Sequence, residues 1–131
     1  MRDQRRQCAP IRVALVETVP KGHKGSMSRY GGMVAHALES AQVGLQIEVV
    51  RINLALPSSI QERIPAKFRN WIHHVWIMAT AKSKLGKVEA DIFHLLDGSH
   101  GYVINQFPRA ASVATSHDII PLLEVNGNLG N

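Results

Sequence analysis

Two short runs of branched aliphatic residues, separated by a helical pattern, constrain the fold of this chain more than any other feature. The first run is IRVALVE, Ile11 to Glu17, and the second is LQIEVVRINL, Leu45 to Leu54. Short, mostly apolar runs of this kind are typical of strands buried on both faces of a parallel sheet. Strand, helix and strand in this order form a βαβ unit, which predicts parallel strands joined by a right-handed crossover.

The segment between these two strands starts as a loop punctuated by glycine and proline and continues as an amphipathic helix. Ser26 or Ser28 is expected to cap the start of this helix, and Gly44 is expected to stop it. Six residues at helical spacing define its core face, namely Tyr30, Met33, Val34, Ala37, Leu38 and Ala41.

The rest of the chain continues the alternation of helix and strand. A helix is predicted from Ala66 to about Lys84, with a core face of Phe68, Trp71, Ile72, Val75, Met78 and Ala79. Strands are predicted at Asp91–Leu96 and Ser112–Ser116, with a turn and a short helix, Tyr102–Phe107, between them. We therefore expect one α/β domain over residues 11–122, a Rossmann-like parallel sheet of about four strands flanked by helices. A flexible basic segment at 1–10 precedes it and a tail at 123–131 follows it.

The positive charge of the chain is unevenly distributed. The formal net charge is +5, and the segment from Arg63 to Lys87 contains six basic residues and no acidic ones. This segment suits phosphate or an anionic membrane, and its two tryptophans suit an interfacial helix. A core helix with a solvated basic side is the favoured alternative. No apolar run approaches the ~20 residues that span a bilayer. We expect a cytoplasmic protein, with peripheral attachment to the inner membrane face as an option, and no nucleic-acid partner.

Three loops that follow predicted strands carry the candidate chemistry. They are Lys21–Ser28, Asp97–Gly101 and His117–Pro121. Ligands of open parallel α/β sheets bind outside the carboxyl ends of the strands, so we expect the three loops to meet on one edge of the sheet. The glycines of the first loop allow backbone N–H groups to approach an anion at the start of a helix. That loop is either a phosphate cradle or a flexible turn between strand and helix.

Ser116, His117 and Asp118 have the residue types of a catalytic triad but not its geometry, because neighbouring side chains of an extended segment point to opposite faces. His117 is either a ligand-binding residue at the rim or a histidine hydrogen-bonded to backbone groups, with Asp118 capping the following turn. His73 and His74 are adjacent and cannot converge on one ion from one helical face. We therefore predict no metal and no cofactor.

Three segments, taken in order, resemble the N-terminal domain of the family-four retaining glycosyltransferases of the GT-B fold. They are KGSMSRYGGMVAHALESAQVGLQIEVV, DIFHLLDGSHGYV and ASVATSHDIIP. They resemble that family's glycine-rich loop with its Arg-Tyr-like pair, its third strand of the form Asp-Ile/Val-hydrophobic-His, and its fourth strand ending in His-Asp before aliphatic residues and proline. The resemblance covers roughly Ile11 to Leu122.

The resemblance implies an enzyme that moves a sugar, with retention of anomeric configuration, from a nucleotide-sugar donor to an acceptor glycan, lipid or small molecule. It implies that His117 is the catalytic residue near the transferred sugar and that Gly25 and Ser26 approach the donor phosphates. The nucleotide sugar is then a substrate and not a cofactor. The acceptor-side or supporting residues are Arg29, Tyr30, Asp97, His100 and Asp118.

The chain departs from the family pattern at two points. Gly25-Ser26 stands where a Gly-Gly pair is usual, and the second, C-terminal domain that holds the donor is missing from the 131 residues. We expect a chain truncated before the donor-binding domain, and an isolated chain that is inactive. The alternative is a non-catalytic Rossmann-like binding module that docks on a partner chain or a membrane surface.

Overall fold

Four parallel strands form the centre of the computed structural model, which describes residues 9–41 and 45–117. The strands are β1 (Ile11–Glu17), β2 (Ile47–Asn53), β3 (Ile92–Leu95) and β4 (Ala111–Ala114). They lie in the order β2-β1-β3-β4, and all three neighbouring pairs are parallel. The predicted α/β, Rossmann-like sheet of four strands flanked by helices is therefore confirmed, with strand ends shifted from the predicted ends by one or two residues.

The helices connect these strands and cover both faces of the sheet. They are α1 (Ser26–Ser40), α2 (Ser58–Gln61), α3 (Ala66–Leu85) and a 3₁₀ helix (Gly98–Gln106). The short α2 lies in the connector between β2 and α3, and the 3₁₀ helix replaces the turn and short helix predicted between β3 and β4. Among the described residues, no helix has the length and apolar character needed to cross a membrane.

Alternate side chains of β1 enter two separate cores, as the pleat of a strand buried on both faces requires. Val13 and Leu15 pack with Ala35 of α1 on one face. Ala14 and Val16 pack on the other face with buried residues of α3, β3 and the 3₁₀ helix. The central position of β1 explains why its apolar run is the strongest strand signal in the sequence.

The predicted core face of α1 is only half right. Tyr30, Val34 and Leu38 pack against the sheet, whereas Met33 is 70% exposed and Ala37 is also exposed. Gly31 and Ala35 are the buried positions instead, because a glycine without a side chain and an alanine with a small one let the helix approach the strands closely. The cap prediction is wrong as well, since Gly25 is the N-cap and no side chain caps the helix. Gly44, the predicted stop, lies outside the described residues.

The predicted core face of α3 is wrong. Its buried residues are Ile77, Ala81 and Leu85, which pack in the core that contains Phe93 and Val103. Four of the six residues predicted to be buried are large and exposed, namely Phe68, Trp71, Val75 and Met78. The helix therefore carries two apolar faces, and the larger and more aromatic one lies in solvent.

Candidate functional site

The carboxyl ends of the strands open onto a cavity of about 500 Å³. Its wall is formed by residues 17–23 after β1, the first turn of α1 (Met27 and Ser28), Arg51 and Asn53 of β2, and Leu96 and Asp97 after β3. The chain passes from β1 to β2 on one side and later places β3 on the other side of β1. The strand order thus reverses next to β1, and this is the point at which open α/β sheets bind ligands.

Thr18 joins the loops after β1 and β3 at this point. It is the buried polar residue of the described chain, with 2% exposure. Its hydroxyl lies 3.4 Å from Oδ2 of Asp97 and 3.1 Å from Nδ1 of His100. Because a buried hydroxyl costs free energy unless it is hydrogen-bonded, these contacts hold the two loops together at the floor of the cavity.

Asp97 and His100, both predicted site residues, form a pair at the start of the 3₁₀ helix. Oδ1 of Asp97 accepts from the backbone N–H and the hydroxyl of Ser99, at 3.0 and 2.7 Å, and Oδ2 lies 3.2 Å from Nδ1 of His100. Burial raises the pKa of Asp97, but the hydrogen bonds from Ser99 and the interaction with His100 outweigh it and lower the pKa overall. Burial lowers the pKa of His100 despite the neighbouring carboxylate. Asp97 is thus an anion on the cavity wall, and His100 is held neutral behind it.

The glycine loop approaches the cavity at the start of α1. Gly22 has a φ of +82°, a conformation that L side chains rarely adopt, which fixes the turn after β1. A Cβ added to Gly25 would lie 2.6 Å from Nε2 of His23, so the imidazole covers the position that a side chain would take. The uncapped first turn of α1 leaves backbone N–H groups beside the cavity, where the helix dipole favours an anion. Gly25 and Ser26 lie between His23 and Met27, which line the cavity.

Charged side chains surround this loop. Arg51 forms an ion pair with Glu17 on the cavity wall, and the hydrogen bond to that carboxylate raises the pKa of Arg51. Lys21 lines the cavity and is exposed. Because Arg51 is paired, Lys21 is the cation best placed to meet an anionic ligand at this edge.

His117 and Tyr30, two further predicted residues, contact each other beside β3 and β4. Their ring centroids are 4.4 Å apart in an edge-on arrangement. Nε2 of His117 donates to the carbonyl of Leu96 at 2.9 Å, and the Tyr30 hydroxyl lies 3.2 Å from Oγ1 of Thr115. Because the Leu96 carbonyl can only accept, Nε2 of His117 carries a proton. Nδ1 is the second polar atom of the exposed imidazole. The hydrogen bond to a backbone group, one of the two alternatives from the sequence, is thus present, and ligand binding by His117 stays a prediction.

The structure places these residues on one edge but in two groups. Asp97 and the glycine loop border the cavity, while Tyr30 and His117 are not among the described residues that line it. Gly98 connects the two groups, since its N–H donates to the Thr115 carbonyl at 2.8 Å and a Cβ there would meet that oxygen at 3.0 Å. Arg29 is exposed on α1. Asp118 lies outside the described residues.

His73, which the sequence analysis considered only as a metal ligand, is a further residue of this edge. Its Nε2 donates to the Thr18 carbonyl at 3.0 Å, and its Nδ1 faces the Leu56 N–H and the Gln61 amide at 3.5 and 3.4 Å. Burial lowers its pKa, so the imidazole is neutral and uses one nitrogen as donor and the other as acceptor. The signal that could have found it is the correct core face of α3, on which it lies near Ile77.

No group of three histidine, cysteine, aspartate or glutamate residues within 9–41 and 45–117 is placed to hold a metal ion. Comparisons of the chain with protein-family models, with curated protein sequences and with solved structures give no significant match. A functional assignment therefore depends on the sequence motifs and on the geometry of this edge.

Proposed function

We propose that this chain is the acceptor-side domain of a retaining glycosyltransferase, which acts with a second, donor-binding domain. The observation that carries the proposal is the cavity of about 500 Å³ at the strand-order reversal, bordered by the uncapped start of α1. A cavity of this size accommodates a sugar or part of a nucleotide. Gly25, Asp97 and His117, one from each of the three motif segments named above, lie at the carboxyl edge of the sheet.

In this function the N–H groups at Gly25 and Ser26, with Lys21, meet the diphosphate of the donor. During transfer the bond from the anomeric carbon to the diphosphate oxygen breaks, and a bond from that carbon to an acceptor hydroxyl oxygen forms. The acceptor proton leaves to the departing diphosphate or to solvent. Fixed N–H dipoles and a cation stabilise the charge that develops on the leaving group, which is the electrostatic contribution that usually dominates such reactions.

His117 acts through its Nδ1, because Nε2 is held by the Leu96 carbonyl. With the proton on Nε2, Nδ1 accepts a hydrogen bond from a hydroxyl of the transferred sugar. The edge of the Tyr30 ring fixes the imidazole plane at 84° to its own. Asp97, as the anion of the cavity wall, accepts from hydroxyls of the acceptor.

The second candidate is a binding module without catalysis, and the exposed apolar face of α3 is the observation that favours it. A donor screen separates the two. The protein, together with any sequence that the gene encodes after Asn131, is incubated with a panel of nucleotide sugars and candidate acceptors. We expect release of nucleoside diphosphate and a product that keeps the donor's anomeric configuration by NMR.

The 131-residue chain alone is the matched control for this screen. We expect it to release no nucleoside diphosphate, because groups from only one side of the cleft are present and cannot hold donor and acceptor in reacting geometry. Turnover by the chain alone, or no release from any donor by the longer protein, would each contradict the proposal. The second result, with a stably folded protein, favours the binding module.

A further inference from the structure

Four large apolar side chains form a continuous exposed stripe on α3. They are Phe68, Trp71, Val75 and Met78, with exposed fractions of 48, 67, 44 and 58%. Their spacing of three, four and three residues places them on one face of the helix. We call these four residues the α3 stripe. Ile77, Ala81 and Leu85 on another face attach the helix to the core, and the stripe is not part of that core.

The stripe differs from the scattered apolar residues that every protein surface carries. Met33 is 70% exposed on α1, but it stands alone on that helix among the large exposed apolar side chains of the described residues. The α3 stripe instead contains two aromatic residues and a methionine in sequence along one helix. A contiguous apolar patch on a protein surface marks an interaction site more often than an isolated residue does.

Two exposed lysines, one near each end of the stripe, lie beside it. Nζ of Lys67 lies 4.9 Å from the centre of the Phe68 ring, and Lys82 follows Met78 by one helical turn on the same face. Arg69 is exposed near the same end of the helix, but its Nη2 donates to the Ile64 carbonyl at 3.3 Å and it lies on a different face from the stripe. No acidic residue occurs between positions 63 and 87, and Glu62 is the nearest one before them.

Lys84 differs from Lys67 and Lys82. Its Nζ donates to the Asn53 carbonyl at 3.2 Å, and burial lowers its pKa. It is therefore turned towards the sheet and does not belong to the charged border of the stripe. The basic character of the exposed side of α3 comes from the residues at its two ends.

We propose that the α3 stripe is a docking surface for an anionic lipid bilayer, on which α3 lies in the plane of the interface. Tryptophan, phenylalanine and methionine enter the boundary between headgroups and acyl chains, while lysine and arginine meet lipid phosphates. A helix of 20 residues is about 30 Å long, so α3 presents both its stripe and its basic ends to one flat surface. A soluble protein partner would need acidic groups at both ends of its groove, whereas an anionic bilayer offers them everywhere.

Docking through α3 fixes the height of the cavity above the lipid. His73, on the same helix, donates to the carbonyl of Thr18, which lies on the cavity wall. The loop after β1 and the stripe are thus held in one arrangement. The proposal does not depend on sugar transfer, because lipid binding is measured without donor or acceptor.

The test is co-sedimentation of the chain with vesicles, followed by tryptophan fluorescence. We expect binding to vesicles of phosphatidylcholine mixed with phosphatidylglycerol, little binding to phosphatidylcholine alone, and weakening by salt. Met78→Ser weakens binding about tenfold, since its side chain no longer enters the lipid. Lys82→Gln weakens it about fivefold, the effect of one basic residue at such a surface. Trp71→Phe keeps the binding but loses most of the blue shift in emission.

Met33→Ser on α1 is the matched control, because it replaces an equally exposed methionine away from the stripe. Binding that ignores lipid charge, or that falls equally with Met33→Ser and Met78→Ser, would overturn the proposal. So would concentration-dependent self-association, without vesicles, that shifts Trp71 emission and is abolished by Met78→Ser. Thermal melting of each variant separates these outcomes from loss of the fold.

Discussion

His117 uses one ring nitrogen for the fold and exposes the other, so the two roles of this residue can be separated by mutation. Removing the side chain loses one hydrogen bond to the Leu96 carbonyl and the contact with Tyr30. Because the residue is exposed, we expect His117→Ala to lower the free energy of unfolding by only about 1 kcal/mol. If His117 meets the sugar during transfer, turnover falls about a hundredfold or more.

The measurement is paired, with melting temperature and turnover determined for the same protein preparations. His36→Ala, which removes an exposed histidine from the middle of α1, is the control and should change neither quantity. If His117→Ala melts at a lower temperature but turns over normally, His117 has a structural role and the proposed role in sugar transfer is wrong. His117→Gln should keep part of the stability, since its amide N–H takes the place of Nε2 as the donor to the Leu96 carbonyl.

At the scale of the element, α1 offers two neighbouring glycines with opposite surroundings. A Cβ at Gly31 would lie 2.7 Å from Oε1 of Glu17 and 3.1 Å from Cδ1 of Leu96, whereas one at Gly32 would meet nothing within 4 Å. Alanine is the better helix former by about 1 kcal/mol. We expect Gly32→Ala to stabilise the protein by roughly 0.5–1 kcal/mol. Gly31→Ala should destabilise it by about 1 kcal/mol, because overpacking outweighs the gain in propensity.

Urea denaturation of both variants checks this, and each serves as the control of the other. Equal stabilisation by the two substitutions would mean that α1 does not pack against Glu17 and Leu96 at this distance. The same contact explains why the core face of α1 was predicted only in part. A helix that approaches the sheet closely buries its small residues, whereas hydrophobic periodicity selects the large ones.

The sequence predicts β1 better than it predicts α3, and the reason is again which residues meet the sheet. β1 has neighbours on both sides and both faces, so its burial follows directly from its apolar run. α3 carries apolar residues on two faces, and periodicity alone cannot say which of them meets the sheet. The aromatic face has the stronger pattern, yet the smaller face of Ile77, Ala81 and Leu85 is the buried one. An apolar face in solvent is expected if it is the docking surface proposed above.

Across the whole molecule, the sequence predicts the edge where the site lies better than the residues that build it. The parallel sheet places the residues that follow β1, β3 and β4 at the same edge whatever their side chains are. Only the contacts in the structure identify three residues of the site, Thr18, Arg51 and His73. Each lies on a different element and contacts residues distant in the chain. No spacing along the sequence encodes such contacts. The roles of His117, Gly25 and Ser26 in sugar transfer remain predictions.

Partly buried histidines on several elements make the stability of the whole fold depend on pH. Burial is the first cause that lowers the pKa of His73, His94 and His100 below the ordinary value of 6.5. Above that value each imidazole is neutral in both the folded and the unfolded chain. As the pH falls through it, the unfolded chain takes up protons that the folded chain refuses. The free energy of unfolding therefore decreases towards acid, by at most about 1.4 kcal/mol per pH unit for each histidine.

Urea denaturation at a series of pH values between about 8 and 5 measures this slope. We expect no slope from these histidines at the alkaline end, where they are neutral in both states, and a steep loss of stability below about 6.5. His94→Gln should keep a hydrogen bond to Oγ1 of Thr115, which the native Nε2 approaches to 2.7 Å, and remove one titrating group. The free energy of unfolding of this variant should therefore fall less steeply towards acid, by up to about 1.4 kcal/mol per pH unit, the contribution of one proton. Stability that stays constant or rises towards acid would show that the three imidazoles accept protons in the folded state. His73 and His100 would then make their hydrogen bonds to Thr18 as charged imidazolium groups and not as the neutral imidazoles described above.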